Sequence, residues 1–229
     1  MMTFFRYPQG TWILFLLGFI APGLIARDVR SRAFLLYFSR PIGRIEYMMG
    51  KLSILAVFIG LVSTAPALLL YVFAVAMAPD LSVLADTWDI PLRIIGGSAL
   101  LIIPTASLAL MFSSLTQESR FASFAWFAIW TLGHGAWLSI LATQWVQKSF
   151  ELTADGERAE LEPFNAAMNT DIVQDLSLLS LYNNLGHVQS WVFGFESVSS
   201  VLPALTALIV LSVFSLCVIY RRIGATTNV

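Results

Sequence analysis

Five long apolar runs, at 11–26, 52–78, 92–115, 121–146 and 201–220, alternate with polar stretches along the chain. Each provides, alone or with its flanks, close to the roughly 20 apolar residues that a helix needs to cross a bilayer. In the first run, Phe4, Phe5 and Tyr7 extend the apolar pattern upstream, past Pro8, and Pro22-Gly23 predicts a kink near the far end. The second run is uncharged, and Pro66 predicts a bend in it. The third carries Arg93 at one end and Pro104 near its middle. The fourth is rich in aromatic residues and contains Gly133-His134-Gly135. Its rings read as packing and an interfacial belt rather than as a ligand box.

The polar stretches differ in character. Residues 79–91 form a short acidic loop, and 116–120 a tight turn. The only sizeable non-spanning region is 147–200. Its second part has apolar residues at Ile172, Leu176, Leu179 and Tyr182, which is helical spacing. Two short helices are expected there, lying at the membrane surface or dipping into it, with a break at Asn183-Asn184-Leu185-Gly186. Residues 27–51 are unlike either kind of stretch. Arg27, Arg30, Arg32, Arg40, Arg44 and Lys51 face only Asp28 and Glu46, yet an apolar Ala-Phe-Leu-Leu-Tyr-Phe run sits in the middle. That is too much charge for a bilayer span and too much apolar surface for an ordinary solvated loop.

Composition agrees with this pattern. The chain is 58% hydrophobic and only 12% charged, against roughly a quarter charged in a soluble domain, which makes it a polytopic membrane protein. Charge then sets an orientation. Segment 27–51, the 116–120 turn and the tail after 220 hold six, one and two basic residues, nine of the chain's 13 Lys and Arg. The positive-inside rule puts that side in the cytoplasm, with the carboxyl terminus inside and the amino terminus outside. No cleavable signal peptide is expected, because the arginines follow the first apolar run instead of preceding it. Cys217 is alone in an apolar run, so no disulfide framework or cysteine metal cluster is expected. A net charge of −1 gives no reason to expect a nucleic-acid partner.

Few catalytic chemistries survive inspection. A P-loop requires glycine five residues before Gly-Lys and a hydroxyl residue after it. Here Ile45 precedes Gly50-Lys51 and Leu52 follows. No HExxH string and no pair of membrane-embedded aspartates is present. The two histidines are His134, inside the fourth span, and His187, beside Gly186 in the outer segment. An ionisable group in a span is a functional candidate, as a pathway residue or a haem ligand with His187. The plainer reading of His134 is a neutral imidazole bonding a neighbouring helix, with both flanking glycines allowing close approach. His187 reads more plainly as a surface polar group. Asn183 and Asn184 are candidates for a substrate entrance, or equally for a helix cap and turn.

The strongest candidate lies within 27–51. Ser39 can cap a helix and Pro41 suits its first turn, which predicts a short helix over 41–49. It would present Arg40, Arg44 and Glu46 among Ile42, Ile45, Met48 and Met49. Such a helix can enter a groove on a soluble partner, or lie on the membrane touching lipid only. Lys51 is expected to anchor the following span at the interface.

The string GLIARDVRSRAFLLYFSRPIGRIEYMMGKL, residues 23–52, resembles the permease subunits of ABC-2 type transporters. These carry an acidic residue in a basic context, an apolar run, Ser-Arg-Pro, then Arg-x-x-Tyr and Gly-Lys entering a span. The resemblance implies a single all-α transmembrane domain with a cytoplasmic coupling helix that docks on a separate ATPase. Ser39, Arg40, Pro41, Arg44, Tyr47, Gly50 and Lys51 fall in that helix, and Glu46 lies among them. It implies that ATP and Mg are bound by the ATPase, that no cofactor is held by this chain, and that a second identical or related permease chain completes the transporter. It also implies export across a prokaryotic inner or plasma membrane. The family usually has six spans, and the one not counted here would precede Thr11. A membrane-embedded redox or enzymatic subunit using His134 and His187, and a non-transporting anchor, are the rival expectations. The spans lack embedded acids and bases, which suits an apolar or amphipathic cargo better than an ion.

Overall fold

The computed structural model describes residues 2–31, 33, 43–80, 82–154 and 162–226, and all are helix or short connections, with no strand among them. Five helical stretches are long and apolar enough to span a membrane: Gly10–Arg30, Arg44–Ala76, Asp89–Leu115, Ser119–Glu151 and Val198–Gly224. They coincide with the five apolar runs of the sequence.

Two of the five are broken, and proline is the cause in both. The first span is α1 (Met2–Ile20) followed by α2 (Pro22–Arg30), with a turn at Ala21. Pro22 has no N–H for the Gly18 carbonyl four residues earlier. Ser123 supplies the missing donor, its Oγ lying 2.9 Å from Gly18 O. Just beyond the break, Ser113 Oγ donates to Pro22 O at 2.8 Å and accepts from the amides of Ile25 and Ala26 at 3.0 and 3.1 Å. The second span is α3 (Arg44–Val62) followed by α4 (Thr64–Ala76). Pro66 sits in the first turn of α4, where its ring excludes the bond to Val62 O and ends α3 there. At the joint, Ser63 Oγ lies 3.3 Å from Ser98 Oγ, both buried.

The serines that close these joints come mostly from the central helix. After the short α5 (Ser82–Asp86), α6 (Asp89–Leu115) forms the third span. It is the most enclosed of the five, with two thirds of its apolar window (67%) buried. The run Thr105–Met111 is wholly buried, as are Ser113 and Ser114. Small side chains there let α2, α3 and the last helix approach closely, the usual basis of helix packing in lipid. The fourth span, α7 (Ser119–Ala154), runs two turns beyond the expected 146. It binds α1 through Trp126, whose Nε1 donates to Leu14 O at 2.9 Å. Phe127 packs between Phe15 and Phe19, over the bare face of Gly18. Of the aromatic set in this span, Trp126 and Trp130 are therefore core, whereas Phe121 and Phe124 are exposed.

The region after α7 holds three described helices, not two: α8 (Glu162–Met168), α9 (Asp171–Ser177) and α10 (Leu181–Val192). The break expected at 183–186 is absent, because α10 runs straight through Asn183-Asn184-Leu185-Gly186. The chain turns three residues earlier, where Ser180 caps α10 and accepts from the Asn183 amide at 3.3 Å. Asn184 would compete with the helix if its side chain were unoccupied, but its Nδ2 donates to Leu178 O at 2.7 Å. Helices α8 and α9 rest on the far half of α7 through Leu141, Ala167 and Val173. The last helix, α11 (Val198–Thr226), packs chiefly on α6 and α10 and continues past Arg221-Arg222, which the sequence pattern had placed after the span.

Exposed large side chains such as Val57, Leu61, Phe73, Val210 and Phe214 lie along the spans, where lipid rather than water is the expected neighbour. Replacing Ser113 by alanine removes one hydroxyl that makes three buried bonds. The Ser113→Ala protein is expected to lose about 1–3 kcal/mol, read as a lower midpoint in thermal unfolding of the detergent-solubilised chain.

Candidate functional site

The stretches grouped by charge come together at one end of the bundle. Arg30, at the end of α2, lies 3.5 Å from Glu118 in the 116–120 turn, and Arg120 approaches the same carboxylate at 3.5 Å. These three side chains are largely exposed, so the contacts add little stability. Arg44, in the first turn of α3, lies against the end of α11. A methyl group added at Gly224 would fall 2.7 Å from its guanidinium.

The tightest contact at this end is less exposed. Asp28 of α2 receives two charge-assisted donors on one carboxylate oxygen. Tyr47 OH lies 2.6 Å from Oδ2, and Lys51 Nζ 2.7 Å. Tyr47 and Lys51 are four residues apart on α3 and so share a face. The Lys51 ammonium also sits 5.4 Å from the centre of the Tyr47 ring. Asp28 and Lys51 side chains retain only 15% and 17% of their exposure, and Tyr47 is buried, so the pair is screened far less than a surface bridge. This network joins the last residues before the 31–43 segment to the first helix after it.

The expected short helix over 41–49 is not what the described residues form. Gly43 is extended (ψ 157°), and a continuous helix starts at Arg44 and enters the membrane span. Glu46 explains the start, since its Oε2 accepts the Gly43 N–H at 2.9 Å and satisfies an orphan amide of the first turn. Ser39, Arg40, Pro41 and Ile42 lie outside the described residues. Of the expected docking residues, Ile45, Glu46 and Met49 are exposed on the opposite side from buried Tyr47. Lys51, expected to anchor the span at the membrane interface, pairs with Asp28.

A second group of candidates lies toward the other end. His134 Nδ1 is 3.2 Å from Ser180 Oγ, and its ring stacks on Trp137 (5.5 Å) and leans on Tyr182 (4.9 Å). The helix-bonding reading of His134 therefore holds, with one difference. Gly133 is the glycine that permits it, since a Cβ there would lie 2.6 Å from Leu179 O, whereas Gly135 faces open space. Asn183 and Asn184 are neither cap nor surface turn, for both are buried inside α10. His187 has its own partner, with Nδ1 3.0 Å from Glu196 Oε2. The two histidines thus bond different partners, Ser180 and Glu196. Nearby, Arg93 joins Asp89 at 2.7 Å to Val192 O at 3.3 Å.

Sequence reasoning missed Asp28, Ser113 and Ser180 as structural partners. Asp28 carried a signal, being one of two acids in the most basic stretch. The two serines carried none, because serine is common in membrane helices without a special role.

Residues 12–223 match the family described as ABC-2 family transporter protein, which is nearly the whole chain. No curated protein and no solved structure matches.

The Asp28 network has a thermodynamic signature. Asp28→Asn and Lys51→Met should each destabilise the chain, and the double variant by less than their sum. The coupling expected for such contacting charges is about 0.5–3 kcal/mol, measured by a double-mutant cycle of unfolding midpoints in detergent.

Proposed function

Because the chain belongs to the ABC-2 family of transporter membrane proteins, and is a permease subunit whose ATP hydrolysis resides in a partner, we propose that segment 27–51 is where that ATPase couples to it. Arg40, Arg44, Glu46 and the exposed Ile45 and Met49 are the assigned contact residues, with Ser39 and Pro41 shaping the approach. We place this end of the bundle in the cytoplasm, on the basic-residue balance. Two permease chains, identical or related, would enclose the pathway.

The observation that carries this reading is the Asp28–Tyr47–Lys51 network. A segment tied at one end only would move one helix. Here the two ends of 31–43 are tied to each other, so a displacement imposed on the segment moves α2 and α3 together. From α2 the push reaches α6 through Ser113, and from α3 it reaches α11 at Gly224 beside Arg44. The broken joints at Ala21 and Ser63 give the two spans a place to bend. The partner's nucleotide cycle can bias this equilibrium only by binding one arrangement of the segment better than another. His134, Asn183 and Asn184 are assigned to the pathway side of the α7–α10 contact, away from the coupling end.

Co-purification with the cognate ATPase tests the coupling assignment. Arg44→Glu and Pro41→Gly are expected to weaken partner binding, or to cut transport per ATP by roughly tenfold, equivalent to about 1.4 kcal/mol of lost coupling. Normal binding with unchanged ATPase and transport in both variants refutes the assignment. Exchanging the charges, as Asp28→Lys with Lys51→Asp, should restore more transport than either single change if the tie itself transmits the motion.

A further inference from the structure

The first span carries a cation near its end that the chain does not neutralise. Arg27 lies within Gly10–Arg30 and is exposed. A methyl group added at Gly23 would fall 3.1 Å from Arg27 Nε and 3.4 Å from its Cζ. The guanidinium therefore lies back along α2, one turn toward the middle of the span, over bare backbone. A snorkelling arginine would extend the other way, into water. The neighbouring acid, Asp28, is committed to Tyr47 and Lys51. Among the described residues Arg27 forms no ion pair. A charge held at that depth calls for an anion.

Two more arginines stand at the same end. Gly23, Arg27 and Arg30 recur at i, i+4 and i+7, so both arginines of α2 share a face. Arg30 and Arg120 approach different oxygens of Glu118, each at 3.5 Å. That is charge attraction rather than a short hydrogen bond, and it leaves the five donors of each guanidinium largely unused. One carboxylate among three guanidiniums leaves the group net positive. Arg120 also lies over the Phe121 ring, 5.2 Å from its centre. Phe121 and Phe124 on α7, and Phe19 on α1, are exposed. They continue from the arginines toward the middle of the spans, and Phe19 meets α7 edge-on at Phe127. Cations at headgroup level thus stand at the end of an apolar track suited to hydrocarbon.

We propose that the seam between α2 and the start of α7 binds an anionic phospholipid, with its phosphate among Arg27, Arg30 and Arg120 and its acyl chains along Phe121, Phe124 and Phe19. Arginine forks match phosphate oxygens two donors at a time. The lipid is a resident of the bundle rather than a cargo. It braces α2 against α7, where the exposed contacts to Glu118 add little by themselves. The site precedes the contacts assigned to the ATPase at 39–49 and does not depend on that assignment.

The test uses the full chain in phosphatidylcholine nanodiscs, without ATPase. Tail-labelled phosphatidylglycerol is added as a minor component, so that no general surface charge builds up. The comparator is phosphatidylcholine with the same label. Saturable binding of the phosphatidylglycerol probe, at least tenfold tighter than the comparator, is expected. Arg27→Gln and Arg120→Gln should each weaken it about fivefold, the scale of one arginine at an anionic headgroup. Neither should lower the unfolding midpoint of the lipid-free chain. Arg221→Gln removes an exposed charge from α11, which packs chiefly on α6 and α10, and should change binding less than about twofold. Equal affinity for both probes overturns the proposal and leaves these arginines to acidic residues of the ATPase. A loss from Arg221→Gln equal to that from Arg27→Gln also overturns it, leaving only a diffuse basic surface.

Discussion

A carbonyl inside a bilayer has no water to bond, so every break in a membrane helix must find a donor from a neighbour. This chain breaks two of its five spans, and its tertiary structure is largely the set of answers to those breaks. Pro22 frees Gly18 O, and Ser123 bonds it. The turn that follows is held by one hydroxyl, Ser113, acting on three backbone groups. These bonds fix where α6 and α7 lie against the first span. They also explain why α6 carries buried serines and small residues and sits at the centre. A helix that supplies hydroxyls to the helices around it must approach them closely, and bulky side chains would hold it off.

With the spans so arranged, the basic end is held together at one carboxylate. The charge-rich segment that interrupts the apolar pattern emerges from α2 and returns into α3, and the two meet at Asp28. An ion pair of this kind is not strong evidence for stability, since desolvation offsets much of the attraction. Its value is geometric: one carboxylate oxygen holds a tyrosine and a lysine on successive turns, so the two helices are fixed in rotation as well as distance. The exposed pairs around Glu118 lack that fixity. The proposed coupling to a partner's ATP hydrolysis draws on both features, the tie at the base and the joints within the spans.

The bundle's opposite half is built differently. There the α7–α10 crossing depends on a missing side chain, at Gly133, and on aromatic rings around His134. Trp130, Trp137, Asn183 and Asn184 each keep one buried polar atom without a hydrogen-bond partner there, whereas at the Pro22 joint the freed Gly18 carbonyl is bonded by Ser123.

The sequence by itself determined the five spans, the loops that share an end, the kink at Pro22, the bend ahead of Pro66 and the family-like character of residues 23–52. Those follow from local rules: apolar length, charge balance and proline's missing amide. It misplaced the break in the outer region, because Asn-Asn-Leu-Gly is a turn signal only while the asparagine side chains compete for the backbone. Burial and the bond to Leu178 removed that competition. It likewise expected a short helix over 41–49, whereas Gly43 is extended and the helix begins at Arg44, with Glu46 closing the first turn on Gly43. Tertiary structure alone decided that Lys51 turns to Asp28, that Ser113 seals the α1–α2 joint, and that Trp126 bonds Leu14 from 112 residues away. Such pairings depend on how each helix is rotated about its axis. In lipid, apolar faces on every side leave that rotation open until the buried polar groups find one another.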